Sequence, residues 1–124
     1  MRLFVLLCAC SGSTTVVTPA AVEDRLFATW EISSAAFGPV ACATVGATSV
    51  TMDLVNVSSG ERFIETFDCG DYQGTSAPLS VGSYDVLIDL EDAGGATLSQ
   101  VDLGTDNIST AGTIDLGHVV FRVP

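Results

Sequence analysis

Apolar and polar residues alternate with a period of two from Arg25 onward, the pattern of strands that bury one face. The alternation is clearest in "GSYDVLIDLED", where one face carries Tyr84, Val86, Ile88 and Leu90. It recurs in "RLFATWEIS", "TSVTMDLVNV" and "ERFIETFDC", and weaker strand segments are Ala96 to Leu103, Gly112 to Leu116 and His118 to Val123. No segment has the length and 3.6-residue spacing of a helix.

Turn-forming residues separate these segments and predict two hairpins. The first joins a strand ending near Val57 to one beginning near Arg62, and the second joins Leu90 to Thr97 across "EDAGG". Sheets with one apolar face must bury it against a second layer. Residues 24–124 are therefore predicted to be an all-β domain, an antiparallel immunoglobulin-like β-sandwich of about seven strands.

The first residues have the character of an export signal. Arg2 supplies a minimal positive region, and Leu3 to Ala9 supply an apolar run that is far too short for the roughly 20 residues of a membrane span. The sequence predicts a signal peptide over residues 1–9, and the alternative interpretation is a buried N-terminal strand. The following "SGSTTVVTPAAVE" lacks amphipathic periodicity and is predicted to be a flexible tether.

The end of the apolar run and the residue after it, Leu7, Cys8, Ala9 and Cys10, resemble the lipobox of bacterial lipoproteins. The resemblance implies that Cys10 carries a diacylglycerol and becomes the mature N-terminus, so that residues 10–23 form a lipidated N-terminus and tether. More than one acyl chain is needed for stable membrane anchoring. Ser11 after the acceptor cysteine implies export to the outer membrane of a Gram-negative bacterium.

With Cys8 removed and Cys10 acylated, Cys42 and Cys69 remain as one pair in a compartment that permits disulfides. A bond between them is worth about 3.6 kcal/mol in the chain-entropy model. The alternative is two free, buried cysteines acting as small hydrophobic residues. A zinc site is disfavoured, because neither cysteine lies in a CxxC motif and the single histidine, His118, is distant in sequence.

The charge balance limits the partners. Fifteen acidic residues face four basic ones, which gives a net charge of -11. Nucleic acid is excluded as a partner because phosphate binding needs a basic patch. Attraction to anionic lipid head groups is disfavoured for the same reason, so contact with the membrane is expected through the lipid anchor alone.

The stretch "LSVGSYDVLIDLEDAGG" resembles the strand entry of transthyretin-like or carboxypeptidase-regulatory-like accessory domains. In those domains a glycine turn delivers a tyrosine into an inward-facing strand, and here Gly82 and Tyr84 take these positions. Trp30 precedes both Cys42 and Cys69, unlike the tryptophan between the cysteines of antibody domains. The resemblance implies a β-sandwich with a non-catalytic structural or binding role.

The sequence contains no recognisable catalytic set, so we expect no enzyme activity, no catalytic residue and no cofactor. His118 is interpreted as a strand histidine, and no G-x-S-x-G, P-loop or HExxH motif occurs. Asp85 and Asp89 share a strand face, and we interpret that face as a solvated polar surface.

Two functions remain open from the sequence. The first is a lipid-anchored structural or interaction module of the cell envelope that holds a protein or a glycan, with Tyr72 in a turn-rich loop as the candidate ligand contact. The alternative is a small-ligand or calcium-binding envelope lipoprotein. Its candidate oxygen ligands are Asp68, Asp71, Asp89, Glu91, Asp92, Asp106 and Asn107, although these lack the EF-hand spacing and we assign no metal ligand.

Overall fold

The computed structural model describes residues 24–108 and 112–124. The predicted signal peptide, the lipid-acceptor Cys10 and the tether lie outside these residues. The described part consists of strands β1 (Asp24–Ser34), β2 (Gly38–Val40), β3 (Ala47–Asn56), β4 (Arg62–Asp68), β5 (Gln73–Thr75), β6 (Gly82–Asp92), β7 (Thr97–Ile108) and β8 (Gly112–Val123). Two 3-10 turns complete it, Cys42–Val45 after β2 and Cys69–Asp71 after β4.

The strands form two four-stranded sheets that pack in a sandwich-like arrangement, as predicted. In the first sheet β1 is central, with β2 and β5 along one of its edges and β8 along the other. The second sheet has the order β4-β3-β6-β7 and is antiparallel throughout. The all-β fold is therefore confirmed.

One pairing differs from the antiparallel expectation. Strands β1 and β8 run parallel, from Asp24 opposite Gly112 to Ser34 opposite Val123. They lie at opposite ends of the domain sequence, and a parallel pair needs a long connection between its strands. The period of two reports which face of a strand is buried and carries no information about the direction of its neighbour.

The strand count differs from the expected seven for two local reasons. Gly112–Leu116 and His118–Val123 are one strand, β8, whose register against β1 shifts opposite Phe27 and Thr29. Gly117 lies at this irregularity with φ 93°, a backbone conformation that favours glycine. The short strands β2 and β5 have three residues each, too few for an alternating pattern to be recognised.

Both predicted hairpins are present. Strands β3 and β4 pair with Val55 opposite Arg62, and β6 and β7 pair with Glu91 opposite Thr97. The second turn is held by the Asp92 carboxylate, which accepts the backbone N–H groups of Gly94 and Ala96, both at 2.9 Å. This is the local hydrogen bonding for which aspartate is favoured in turns.

The core lies between the inner faces of the two sheets. The alternating faces predicted in β1, β3 and β6 are buried there, with Leu26, Ala28, Trp30, Ile32, Val50, Met52, Leu54, Tyr84, Val86, Ile88 and Leu90. Tyr84 is fully buried, and its hydroxyl donates to the Ser80 carbonyl at 2.8 Å, so its polar end is satisfied. Val119, Phe121 and Val123 of β8 complete the core from the other end of the chain.

Truncating an inward-facing residue should destabilise the domain far more than the same kind of truncation on the outer face. Ile88 of β6 is fully buried, whereas Ile64 of β4 is 59% exposed. We expect Ile88→Ala to lower the free energy of unfolding by about 2–5 kcal/mol and Ile64→Ala by about 0.5 kcal/mol or less, measured by urea denaturation. Equal losses in the two variants would contradict this assignment of faces.

Candidate functional site

The Cys42–Cys69 disulfide, predicted from the sequence, joins the two 3-10 turns. The two Cα atoms are 6.2 Å apart, and Cys69 is almost completely buried. The indole N–H of Trp30 donates to the Cys69 carbonyl at 3.0 Å, which fastens the disulfide to the central strand β1. Every cysteine in the described part of the chain is in this bond.

The segment that follows Cys69 packs closely against the core. Gly74 of β5 pairs with Ala28, and a Cβ at Gly74 would lie 2.7 Å from the ring of Phe67. That ring also packs against Trp30, with 6.1 Å between ring centroids. Glycine is therefore required at Gly74 because an aromatic side chain occupies the space of a Cβ.

Tyr72, the sequence-predicted ligand contact, lies beside the disulfide in a left-handed backbone conformation with φ 54°. Its carbonyl accepts the backbone N–H of Trp30 at 3.0 Å, and its hydroxyl accepts the N–H of Cys42 at 3.3 Å. The residue remains 37% exposed. Tyr72 thus ties β1 to the disulfide, and its role as a ligand contact stays a prediction.

An open cleft of about 410 Å³ lies at the end of the sandwich where β1 and β8 finish. It is lined by Ser34, Phe37, Thr44, Val45, Leu98, Val123 and Pro124. Phe37, in the turn between β1 and β2, is 80% exposed. The 3-10 turn that supplies Thr44 and Val45 begins at Cys42, so the disulfide holds one wall of the cleft in place.

Sequence reasoning missed this cleft because its lining comes from four separate segments of the chain. The one available signal was the aromatic residue in "AAFGP", where Phe37 precedes a turn glycine and a proline. An exposed phenylalanine in a turn does not by itself identify a binding site.

His118 lies on the exposed outer face of the first sheet, where it bridges the parallel strands. Its Nδ1 is 2.9 Å from the Thr29 hydroxyl, and its Nε2 is 2.7 Å from a carboxylate oxygen of Glu31. These contacts link β8 to β1 on the solvent side. The absence of enzyme activity stays a prediction.

Several of the candidate calcium ligands are engaged with other side chains. Asp89 accepts from the Gln100 amide at 2.7 Å, and Glu91 accepts from the Thr51 hydroxyl at 3.0 Å. Asp92 holds the β6–β7 turn described above. Over residues 24–108 and 112–124, no three His, Cys, Asp or Glu side chains converge in a group that could hold a metal ion.

One ion pair connects β3 and β4 on the outer face of the second sheet. The Arg62 guanidinium donates through Nε to the Asp53 carboxylate at 2.9 Å and through a second nitrogen to the other oxygen. The pKa of Arg62 is raised above its ordinary value. The larger cause is the hydrogen bond to Asp53, and the smaller cause is the negative charge of that carboxylate. The two-pronged geometry suits arginine and carboxylate and helps to fix the register of the hairpin.

Comparison with known proteins gives no family assignment. No protein-family profile matches the sequence, and no curated protein matches it either. A similar solved structure is the crystal structure of a leucine-rich repeat protein from Bacteroides thetaiotaomicron VPI-5482, with 8% identity and a TM-score of 0.49. The match covers 84% of this chain and 12% of that one, so this chain corresponds to a small part of the other protein's length. The likeness is too weak to support a functional inference.

The described residues include no helix that is long and apolar enough to cross a membrane.

A variant without the disulfide should be less stable than the wild type under oxidising conditions, and the difference should largely disappear when the wild type is reduced. We expect the Cys42→Ala/Cys69→Ala variant to lose about 3.6 kcal/mol of unfolding free energy relative to the oxidised wild type, measured by urea denaturation. The matched control is the same pair of proteins in excess reductant, where the wild type should fall toward the variant. Equal stability without reductant would contradict a disulfide in the purified protein.

Proposed function

We propose that the chain is a non-catalytic, lipid-anchored structural or interaction module of the bacterial cell envelope. The observation that carries the proposal is the Cys42–Cys69 disulfide, because disulfides persist in oxidising compartments and are rare in the cytosol. The lipobox-like residues that end at Cys10 lie in a different part of the chain and also support a location outside the cytosol. By that resemblance the mature protein begins at Cys10 and is held at the outer membrane by its acyl chains.

An interaction role is supported by where the free surface lies. The outer-face residues His118, Arg62 and Asp89 each bond to neighbouring side chains of their own sheet. The end of the sandwich instead presents an open apolar cleft and the exposed ring of Phe37. An envelope protein or a glycan is the proposed partner class, with Tyr72 as a further exposed aromatic residue. A transthyretin-like module, the class that the sequence resembles around Gly82 and Tyr84, is consistent with such a role.

A small-ligand-binding lipoprotein is the second candidate, and the cleft is the observation that favours it. Its volume of about 410 Å³ is within the 300–1,000 Å³ typical of ligand sites. Its walls are largely apolar, and Ser34 and Thr44 add hydroxyl groups. Calcium binding is the weaker form of this candidate, since three of its proposed ligands, Asp89, Glu91 and Asp92, already accept hydrogen bonds within the sheet and its turn.

The test of the anchor is expression of the full chain in a Gram-negative host, followed by membrane fractionation and intact-mass measurement. We expect the protein in the membrane fraction, with a mass equal to residues 10–124 plus the lipid. Cys10→Ser should abolish the lipid mass and the processing. The matched control is Cys8→Ser, which changes a cysteine in the discarded segment and should leave both unchanged.

Two outcomes would overturn the anchored-module proposal. One is an unprocessed chain of residues 1–124 in the cytoplasmic fraction. The other is a processed chain whose N-terminus is not Cys10 and which carries no lipid, since that result would indicate a secreted protein.

A further inference from the structure

Strand β8 has one bonded edge and one open edge. It pairs with β1 along its length, and no other described strand pairs with it. Its outer edge therefore presents backbone N–H and C=O groups that no strand in residues 24–108 or 112–124 satisfies. Such a row of groups is a ready template for pairing with another extended chain.

The hydrogen bonds of β1 show which residues of β8 face outward. The Val123 carbonyl accepts the N–H of Ala35, so the backbone groups of Val123 point toward β1. Successive residues of a strand direct their backbone groups to opposite edges. Val119, Phe121 and Val123 therefore bond to β1, and the N–H and C=O groups of His118, Val120 and Arg122 lie on the outer edge.

The other edges of the two sheets carry more protective features than the second half of β8, where Arg122 is the charged residue. Natural proteins protect edges with short strands, charged residues and bulges. β2 and β5 have three residues each, β4 carries Arg62, Glu65 and Asp68, and β7 has two register shifts against β6. In β8 the shift beside Gly117 disrupts only the first half. His118–Val123 is a regular segment with the sequence "HVVFRV".

The open edge adjoins the apolar cleft. Val123 and Pro124 line the cleft on the side of β8, and Leu98 lines it on the side of β7. Leu98 and Val101 are partly buried hydrophobic residues at the margin of the core. A strand added beside β8 would place its inward-facing side chains against this apolar margin, so the site offers both backbone pairing and side-chain burial.

The occupant of the open β8 edge could be a second copy of this chain or a different protein, and net charge favours a different protein. Each copy carries a net charge of -11, so pairing two copies edge to edge brings like charges together. Asp115 on β8 and Asp102 on β7 add negative charge to the strands that border the open side, and Arg122 of β8 offsets one of these charges, so the preference for a different protein rests on the net charge of the chain. The complementary occupant is an apolar extended segment flanked by lysine or arginine.

We propose that β8 is a docking edge, at which an extended apolar segment with basic flanks, belonging to another protein, pairs with His118–Val123 and covers the adjoining cleft. This inference deepens the proposed interaction role and rests on it, but it does not depend on the lipid anchor.

The test uses the full chain in detergent micelles and a synthetic peptide of alternating valine and threonine with a lysine at each end. Amide exchange and binding are followed by NMR. In the free protein we expect Val119, Phe121 and Val123 to be protected from exchange, and His118, Val120 and Arg122 to exchange quickly. Added peptide should protect the amides of Val120 and Arg122. The control peptide has the same sequence with alternate N-methylated backbone nitrogens, and it should not bind.

A pair of variants separates backbone pairing from side-chain contact. Val120→Pro removes an outward N–H and leaves the bonds to β1 intact, since proline is tolerated on edge strands. We expect this change to weaken peptide binding by about tenfold or more, because a backbone hydrogen bond is lost and the proline ring obstructs the edge. Val120→Thr keeps the shape and the N–H and should bind as the wild type does. Unfolding curves establish that both variants are folded, and Arg122→Pro is the substitute if Val120→Pro is not.

Four outcomes would overturn the inference: no peptide binding at millimolar concentration, protection at residues away from β8, equal binding by Val120→Pro and the wild type, or a dimer of the free chain that Val120→Pro abolishes. The dimer would assign the edge to a second copy. A lipid-anchored chain that does not bind the peptide overturns this inference alone, whereas an unanchored cytoplasmic chain overturns the proposed function.

Discussion

Strand β1 is hydrogen-bonded along both edges and buried along one face, and the rest of the sandwich depends on it. On one edge its backbone bonds to Tyr72, Ser76 and Leu79, and on the other edge it pairs in parallel with β8. Its inner face contributes four core residues from Leu26 to Ile32. Trp30 makes contacts of several kinds. Its backbone N–H donates to Tyr72, its indole N–H donates to the Cys69 carbonyl, and its ring packs against Phe67. Displacement of β1 would therefore disturb the core, the disulfide and β8 together.

The features that followed from the sequence are those in which local pattern and tertiary structure agree. The alternating faces of β1, β3 and β6 and the two hairpins depend on residues close together in the chain, so a single sequence contains the signal. The parallel β1–β8 pair joins residues nearly ninety positions apart, and nothing in either segment specifies the direction of its partner. Strand β3 shows a second limit of prediction from the alternating pattern. Thr51 and Asp53 are buried on the face where alternation predicts exposure. Asp53 is accommodated there by Arg62 of the neighbouring strand.

The candidate site also combines a feature that the sequence predicts with one that only the folded structure shows. The Cys42–Cys69 pair could be predicted by counting cysteines, but the cleft beside it could not, since a cavity exists only after separate segments meet. The disulfide and the cleft are close together in the structure. Cys42 begins the 3-10 turn that supplies Thr44 and Val45 to the cleft wall, and the Tyr72 hydroxyl accepts the N–H of Cys42. The disulfide thus fixes the end of the sandwich that presents the open surface. A covalent constraint at that position suits the proposed envelope role, in which a binding surface would stay ordered outside the cell.

The proposed envelope role therefore depends most on the compartment in which this disulfide forms. The most direct measurement is thiol trapping in intact bacteria that express the full chain, with a membrane-permeant alkylating reagent added before and after reduction. Trapped material is digested so that the peptides containing Cys42 and Cys69 are measured separately from Cys8 and Cys10. The proposed envelope role predicts that Cys42 and Cys69 are modified only after reduction. Full modification of both without reductant would place the domain in a reducing compartment and would contradict that role.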